Sequence, residues 1–322
     1  MKVLLTGAGG FLGRALGPAL VRHGHSVRAL MRSRSDLAVS PLAPGIEPWW
    51  GDLRTTDLDA ALAGVDAVVH LAAVFAGDVM EQFLGTVVPT EALLQAMVRS
   101  GTTRLVLVSS FSVYDWRAPA RALTEESPLE DHLERRDGYC ITKTWQERVC
   151  RRFAGAHGWQ LTVIRPGFIW SDERPWVEGV GIRLGSTVLV NGPFRRLPLT
   201  HVASCADCVA RSVACEAANG ETFNAVDSDD VRAWSHAGEL IRDGVANVRR
   251  RIALPYAFGL WAAFLASGLA RWLLGPENRL PGILIPARYR ARFRSLRFPN
   301  GKAVRVLGWK PGVYGEPVRG AR

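Results

Sequence analysis

The chain has 322 residues, 48% of them hydrophobic and 22% charged, with a net charge of +10; that balance excludes a disordered or fibrous chain and predicts a globular protein with a large core in two lobes. Five cysteines are an odd number for an enzyme-sized chain and argue against a disulfide framework. The positive charge raises nucleic acid as a partner, but no nucleic-acid motif accompanies it, so a phosphorylated cofactor, an anionic substrate or a membrane surface suits it better.

Apolar runs near 2–6, 26–31, 45–50, 66–70, 103–108, 160–165 and 222–226 predict strands, with helical patterns between most of them. Such alternation predicts an α/β fold whose doubly wound parallel sheet is covered on both faces, with ligands at the carboxyl ends of the strands. The first run is too short for a secretory signal and leads straight into a glycine loop. That loop, Gly7-Ala8-Gly9-Gly10-Phe11-Leu12-Gly13, precedes a helical pattern beginning near Arg14. Strand, glycine loop and helix together predict a dinucleotide site. Gly7 permits the turn, Gly10 admits the diphosphate, and Gly13 lets helix and strand approach. The helix N-terminus offers free N–H groups to phosphate, and Phe11 and Leu12 in the loop are expected on the cofactor.

The second strand ends in Met31-Arg32-Ser33-Arg34. A site preferring NAD usually carries a carboxylate there for the ribose 2′-hydroxyl. A carboxylate would repel a 2′-phosphate, whereas the planar fork of Arg32 can grip one, so NADPH is expected over NADH. Farther along, Tyr139 and Lys143 stand four residues apart and share one helix face. A nearby ammonium favours phenolate and is expected to pull the Tyr139 pKa down toward useful acid/base range.

The G-x-x-G-x-x-G spacing, with Ser110 and Tyr139-x-x-x-Lys143, resembles the extended short-chain dehydrogenase/reductase family, within the NAD-dependent epimerase/dehydratase superfamily. The resemblance runs over nearly the whole chain and implies a Rossmann domain at 1–165. A smaller, mostly helical substrate lobe at 166–322 is implied too, with about 200–227 returning to the core. Gly51-Asp52-Leu53 resembles the family's adenine-contacting turn, and His70-Leu71-Ala72-Ala73 its fourth strand and the loop beside adenine and ribose. By the same resemblance Ser110 orients the substrate oxygen, Tyr139 is the acid/base and Lys143 holds the nicotinamide ribose. Arg165-Pro166-Gly167-Phe168 resembles the segment beside the nicotinamide, so Pro166 is expected on the cofactor and Phe168 and Ser112 on the substrate. Tyr114 is expected to be packing. Homodimerisation is implied through helices near the tyrosine. One departure stands out: Thr86 occupies the place of the family's usual asparagine in the proton relay, and Pro89 that of a glycine.

Cys205-Ala206-Asp207-Cys208 has metal-like spacing but no second pair or histidine cluster, and predicts buried small residues. The stretch 252–270, from Ile252 to Ala270, carries no charge and is bracketed by Arg249-Arg250-Arg251 and Arg271. It reads as a buried or pocket-covering helix, a membrane-surface helix or a spanning helix. A long apolar helix there is similar to the 3β-hydroxysteroid dehydrogenase-like branch, whose substrates are hydrophobic. The leading expectation is therefore an oxidoreductase acting on a lipid-, steroid- or polyketide-like carbonyl or hydroxyl. The alternatives are a nucleotide-sugar epimerase or dehydratase, served by Arg174, Arg183 and Arg196, and a non-catalytic NADPH-binding regulator. A cytoplasmic location, with membrane association if 252–270 touches lipid, is expected.

Overall fold

A computed structural model of the chain describes residues 1–32, 43–118, 121–228, 230–244, 247–275 and 280–312. Its first half alternates strand and helix: β1 (Lys2–Thr6), α1 (Phe11–Arg22), β2 (Ser26–Met31), β3 (Ile46–Trp50), α2 (Leu58–Leu62), β4 (Ala67–His70), α3 (Val79–Ser100), β5 (Arg104–Val108), α4 (Gly138–His157) and β6 (Gln160–Pro166). After β6 come β7 (Phe168–Trp170), β8 (Ile182–Leu184), β9 (Thr187–Asn191), β10 (Leu199–His201), α5 (Val202–Val213) and β11 (Thr222–Ala225). The last elements are α6 (Ala233–Arg242), β12 (Arg250–Leu254), α7 (Tyr256–Leu274), α8 (Pro286–Phe293) and α9 (Gly301–Leu307).

All seven strands expected from the apolar runs join one sheet, in the order β11-β6-β5-β4-β1-β2-β3 and wholly parallel. Residues alternate across it. Val3 and Leu5 pack with Leu16 and Leu20 of α1 and Val209 of α5, whereas Leu4, Val68 and Leu105 pack with Leu93 and Met97 of α3 and Cys150 of α4. Strands buried on both faces explain why the runs read as continuous apolar stretches rather than alternating ones. Cys205 and Cys208 lie fully buried in the first of these cores.

Capping residues set where the helices beside the site begin. Asp78 and Glu81 form a reciprocal capping box at the start of α3, each carboxylate accepting the other's backbone N–H at 2.8 Å. Asp137 caps α4 by accepting from Cys140 N at 2.9 Å, which puts Tyr139 in the first turn and Lys143 in the second.

The C-terminal lobe carries β-structure as well as helices. β9 pairs antiparallel with β8 and parallel with β12. The uncharged stretch 252–270 is thus divided: Ile252 to Leu254 belong to β12, and Pro255 turns the chain into α7. Among the described residues no helix is long and apolar enough to cross a membrane, which removes the spanning reading. The wholly buried reading also needs correcting. Gly259, Ala263, Ser267 and Ala270 face inward, while Phe258, Trp261, Leu265, Leu269 and Trp272 are each more than half exposed. One face is core and the other is not.

A fully buried carboxylate ties α4 to the sheet. Glu147 of α4 accepts from the Ser109 hydroxyl at 2.7 Å, from Arg165 Nε at 3.2 Å and from Arg151 Nε at 3.0 Å. Burial by itself would raise this carboxyl, but the Arg165 guanidinium, with Arg151 and Ser109, outweighs it and holds the pKa down at about 2, against an ordinary 4.5. Since the folded value lies below the unfolded one, this stabilisation is complete above about pH 4.5 and drains away as pH falls toward 2. Glu147→Ala would strand the buried Arg165 charge. The expected loss is about 3–5 kcal/mol of unfolding free energy by urea denaturation at pH 7, with the gap between variant and wild type narrowing between pH 5 and 2.

Candidate active site

A cavity of about 1290 Å³ opens at the carboxyl ends of the central strands and extends to the C-terminal lobe, where a doubly wound sheet places its ligands. Its phosphate end is the glycine loop. Gly7 has φ +72°, and a Cβ there would meet Ala72 N at 2.9 Å; a Cβ on Gly13 would stand 2.2 Å from the Gly7 carbonyl. Neither position accepts a side chain, so loop, helix and β4 close tightly. Helix α1 starts behind Gly10 with no side-chain cap and no acidic residue in its first turn. Gly10, Phe11, Leu12 and Gly13 line the cavity there. An uncapped N-terminus facing a cavity across glycines fits a dinucleotide diphosphate.

Beyond the loop, Leu71, Ala72 and Ala73 form one wall, and Arg32, Asp52 and Leu53 border the end formed by β2 and β3. Arg54, which sequence reasoning passed over, joins them: its Nε donates to Asp52 Oδ1 at 2.8 Å and its Nη2 to Oδ2 at 3.0 Å. That hydrogen bonding from Arg54, with a smaller contribution from the Arg32 charge, holds Asp52 below the usual carboxylate range. Two guanidiniums and one carboxylate therefore share this end. Arg34 lies outside the described residues.

At the reacting end Ser110, Tyr139, Lys143 and Pro166 line the same cavity. Ser110 stands two residues past the end of β5 in extended conformation, and its Oγ accepts from Ser112 N at 3.1 Å. Tyr139 lies under the exposed ring of Phe75, stacked at 4.7 Å between centroids. Burial pushes its phenol up to about 12, and the Ser110 hydroxyl only partly offsets that. This differs from the expected downward pull by Lys143, for a geometric reason. The ammonium is turned away, donating to the Val108 carbonyl at 2.7 Å and to Gln146 Oε1, and burial brings the lysine down to about 8.

Behind Lys143 runs a buried polar chain that the sequence did not announce. Gln146 Nε2 donates to Ala72 O and lies 3.0 Å from both His70 Nε2 and Thr90 Oγ1, while His70 Nδ1 lies 2.6 Å from the Thr6 hydroxyl. Burial, then the Lys143 charge, lowers His70 to about 3, so the imidazole is neutral at working pH. Thr86, in the asparagine's place, is occupied structurally: its hydroxyl accepts from Val74 N at 2.9 Å, and its carbonyl accepts from Thr90 at 2.6 Å.

The remaining wall is mainly apolar, with Phe75, Trp116, Phe168, Ile283 and Ala291, together with Ser112. Tyr114 is buried instead, its hydroxyl donating to Asn224 Oδ1 at 2.6 Å. Arg174, Arg183 and Arg196 do not line the cavity; Arg136, Arg288 and Arg292 do. Arg136 pairs with Glu130 at 3.0 Å and Arg292 with Glu178, whereas Arg288 donates to the Arg136 carbonyl at 2.9 Å. Arg136 lies just before α4 and Arg288 and Arg292 lie on α8, so no local spacing marked the three as neighbours.

Comparison with known proteins identifies the family. Residues 3–175 match the family model described as NAD dependent epimerase/dehydratase family. A 4-hydroxy-2-methyl-3-oxo-4-farnesyl-3,4-dihydroquinoline-1-oxide ketoreductase from Stigmatella aurantiaca is 30% identical, covering 96% of this chain and 92% of its own. A 3β-hydroxysteroid dehydrogenase/Δ5→4-isomerase from Mycobacterium tuberculosis is 28% identical over 96% of this chain and 86% of its own. Among solved structures, a UDP-glucuronic acid 4-epimerase from Bacillus cereus in complex with NAD superposes with a TM-score of 0.70 at 18% identity, covering 97% of this chain and 94% of its own. That likeness speaks for the fold. With its Rossmann sheet, glycine cradle and full-length relatives, the chain belongs to the NAD-dependent epimerase/dehydratase family of extended short-chain dehydrogenases/reductases.

Proposed function

We propose that the chain is a carbonyl reductase that prefers NADPH and acts on a large hydrophobic ketone, running also in the alcohol-oxidising direction. The observation that carries this is the shared cavity, where Ser110, Tyr139 and Lys143 meet the glycine cradle at one end and an apolar wall at the other. The ketoreductase and hydroxysteroid dehydrogenase named above support the same substrate chemistry.

Gly7–Gly13 and Asp52 would hold a nicotinamide dinucleotide, which would supply the hydride for a carbonyl carbon. The protein's part is proton handling and orientation. Ser110 donates to the carbonyl oxygen and stabilises charge developing on it. Tyr139, with a pKa of about 12, is a neutral phenol at pH 7 and so stands ready as the donor of the proton that completes the alcohol. Lys143 holds the nicotinamide ribose, and the Val108 carbonyl and Gln146 orient its ammonium. Phe75, stacked on the phenol, keeps water from its face. Ser112 and Phe168 border the substrate, and Arg32, with Arg54 beside it, meets the cofactor's 2′-phosphate. The five unpaired cysteines support a reducing, cytoplasmic compartment. Two copies pair through the exposed apolar side chains Met80 and Val88 of α3 and Trp145 of α4.

A second reading, a nucleotide-sugar epimerase, is favoured by one feature: Arg288 brings a guanidinium without a carboxylate partner, among the described residues, into the substrate end. An epimerase consumes no reduced cofactor overall, so NADPH absorbance separates the readings. With a panel of hydrophobic ketones, wild type should oxidise NADPH, and Tyr139→Phe should lower kcat by about 10²–10⁴-fold with NADPH affinity unchanged. Binding of NADPH without turnover of any ketone would sink the reductase reading. Arg32→Glu should weaken NADPH binding by about tenfold or more, the worth of one charge-assisted contact, and leave NADH binding nearly unchanged. Equal losses for both cofactors would show that Arg32 does not read the 2′-phosphate.

A further inference from the structure

We infer that the outer face of α7 docks on an anionic lipid surface and holds the substrate end of the cavity against it. The claim about substrate entry rests on the reductase reading above; the docking does not. Phe258, Trp261, Leu265, Leu269 and Trp272 recur at intervals of three and four residues, so they share one helix face. Each is more than half exposed, Trp272 at 81%, and Phe264 and Leu273 widen the strip. The helix is about 28 Å long at 1.5 Å per residue, so this is a continuous apolar strip rather than the scattered single exposures ordinary on a protein surface.

Charge around the strip favours lipid over a second protein as its occupant. Between residues 244 and 294, the stretch that includes β12, α7 and α8, there is a single acidic residue, Glu277, against nine arginines, of which Arg292 is paired with Glu178. Arg249, Arg250 and Arg271 are exposed at the two ends of the β12–α7 unit. The Arg290 guanidinium lies 5.1 Å from the ring of Phe264. Aromatic and aliphatic side chains on one face, fringed by arginines, match the layered chemistry of an anionic bilayer interface, and the helix lies in its plane.

The inner face of α7 connects that surface to the site. Ala263 and Leu260 pack with Tyr289, Phe293 and Ile283. Ser267 donates to the Leu284 carbonyl at 2.9 Å. Ile283, Gly282, Arg288 and Ala291 are in turn cavity wall. Among the described residues, the turn at Gly282–Leu284 and α8 separate the exposed strip from the substrate end. An apolar ketone dissolved in lipid would then reach the cavity without crossing water.

The test is flotation of the full chain with vesicles of phosphatidylcholine alone or with roughly 30 mol% phosphatidylglycerol, at low and high salt. Wild type should float with the anionic vesicles and be released by salt, while Trp261→Glu/Leu265→Glu/Trp272→Glu should bind at least about tenfold less. Trp272→Glu alone, at the most exposed position, should lose part of the binding and guards against misfolding of the triple variant. On a water-soluble ketone without vesicles all three proteins should keep the same rate; on a ketone carried in anionic vesicles the variants should slow. Wild type that floats with neither vesicle, or variants that float as well as wild type, would overturn the docking. So would light scattering in which the α7 substitutions reduce the number of associated chains, since the strip would then be a protein contact. Vesicle binding with no turnover of any ketone would leave the docking standing and sink the reductase reading.

Discussion

Glu147 holds the cavity face of the sheet and α4 together. One carboxylate, removed from water, meets Ser109 at the end of β5, Arg165 at the end of β6 and Arg151 on its own helix. Two of the tethered residues neighbour cavity residues, Ser109 preceding Ser110 and Arg165 preceding Pro166, and Lys143 lies one turn before Glu147 itself. A buried charge pair adds little net stability over an apolar equivalent, yet breaking it is costly. The consequence is registration. A helix that slid or rotated against the sheet would leave two buried charges unpaired, so the phenol, the serine and the lysine are held to one relative placement.

That placement also sets the electrostatics of the site. Burial acts on the two titrating groups in opposite directions, raising the phenol to about 12 and lowering the lysine to about 8. Both shifts favour the neutral form, as desolvation must. The lysine stays tied to the Val108 carbonyl and to Gln146, with neutral His70 behind, so its orientation does not depend on a partner inside the cavity. Thr86 spends its hydroxyl on the Val74 backbone, which makes it a structural support for the wall that carries Phe75.

The C-terminal lobe solves a different problem. Its apolar helix α7 buries Gly259, Ala263 and Ser267, with Leu260, against α8 and the turn at Gly282–Leu284, and presents most of its large residues outward. In a helix meant only for a core the large side chains would face in, where their area contributes most. The inner small residues let α8 approach closely; a Cβ on Gly259 would fall 2.0 Å from the Tyr289 hydroxyl. Packing of the lobe and exposure of the strip are therefore two results of one residue pattern.

What the sequence determined was local. Six buried strands read as apolar runs because both faces of the sheet are covered, with the half-exposed edge strand β3 beside them; the glycine loop read from spacing that no other residue tolerates, and Tyr139 and Lys143 read from a single helical turn. All of these depend on residues within about ten positions of one another. Tertiary structure decided what depends on distant partners. Phe75 came onto the phenol from sixty-four residues away, and Arg165 neutralised Glu147 from another element. Lys143 turned from the tyrosine to a strand carbonyl, and Arg288 rather than Arg174, Arg183 or Arg196 lined the cavity. The uncharged stretch 252–270 shows the division within one segment. Its apolarity was plain in the sequence, but an all-round apolar helix carries no mark of which side meets the core, and only its packing against α8 left one face to solvent.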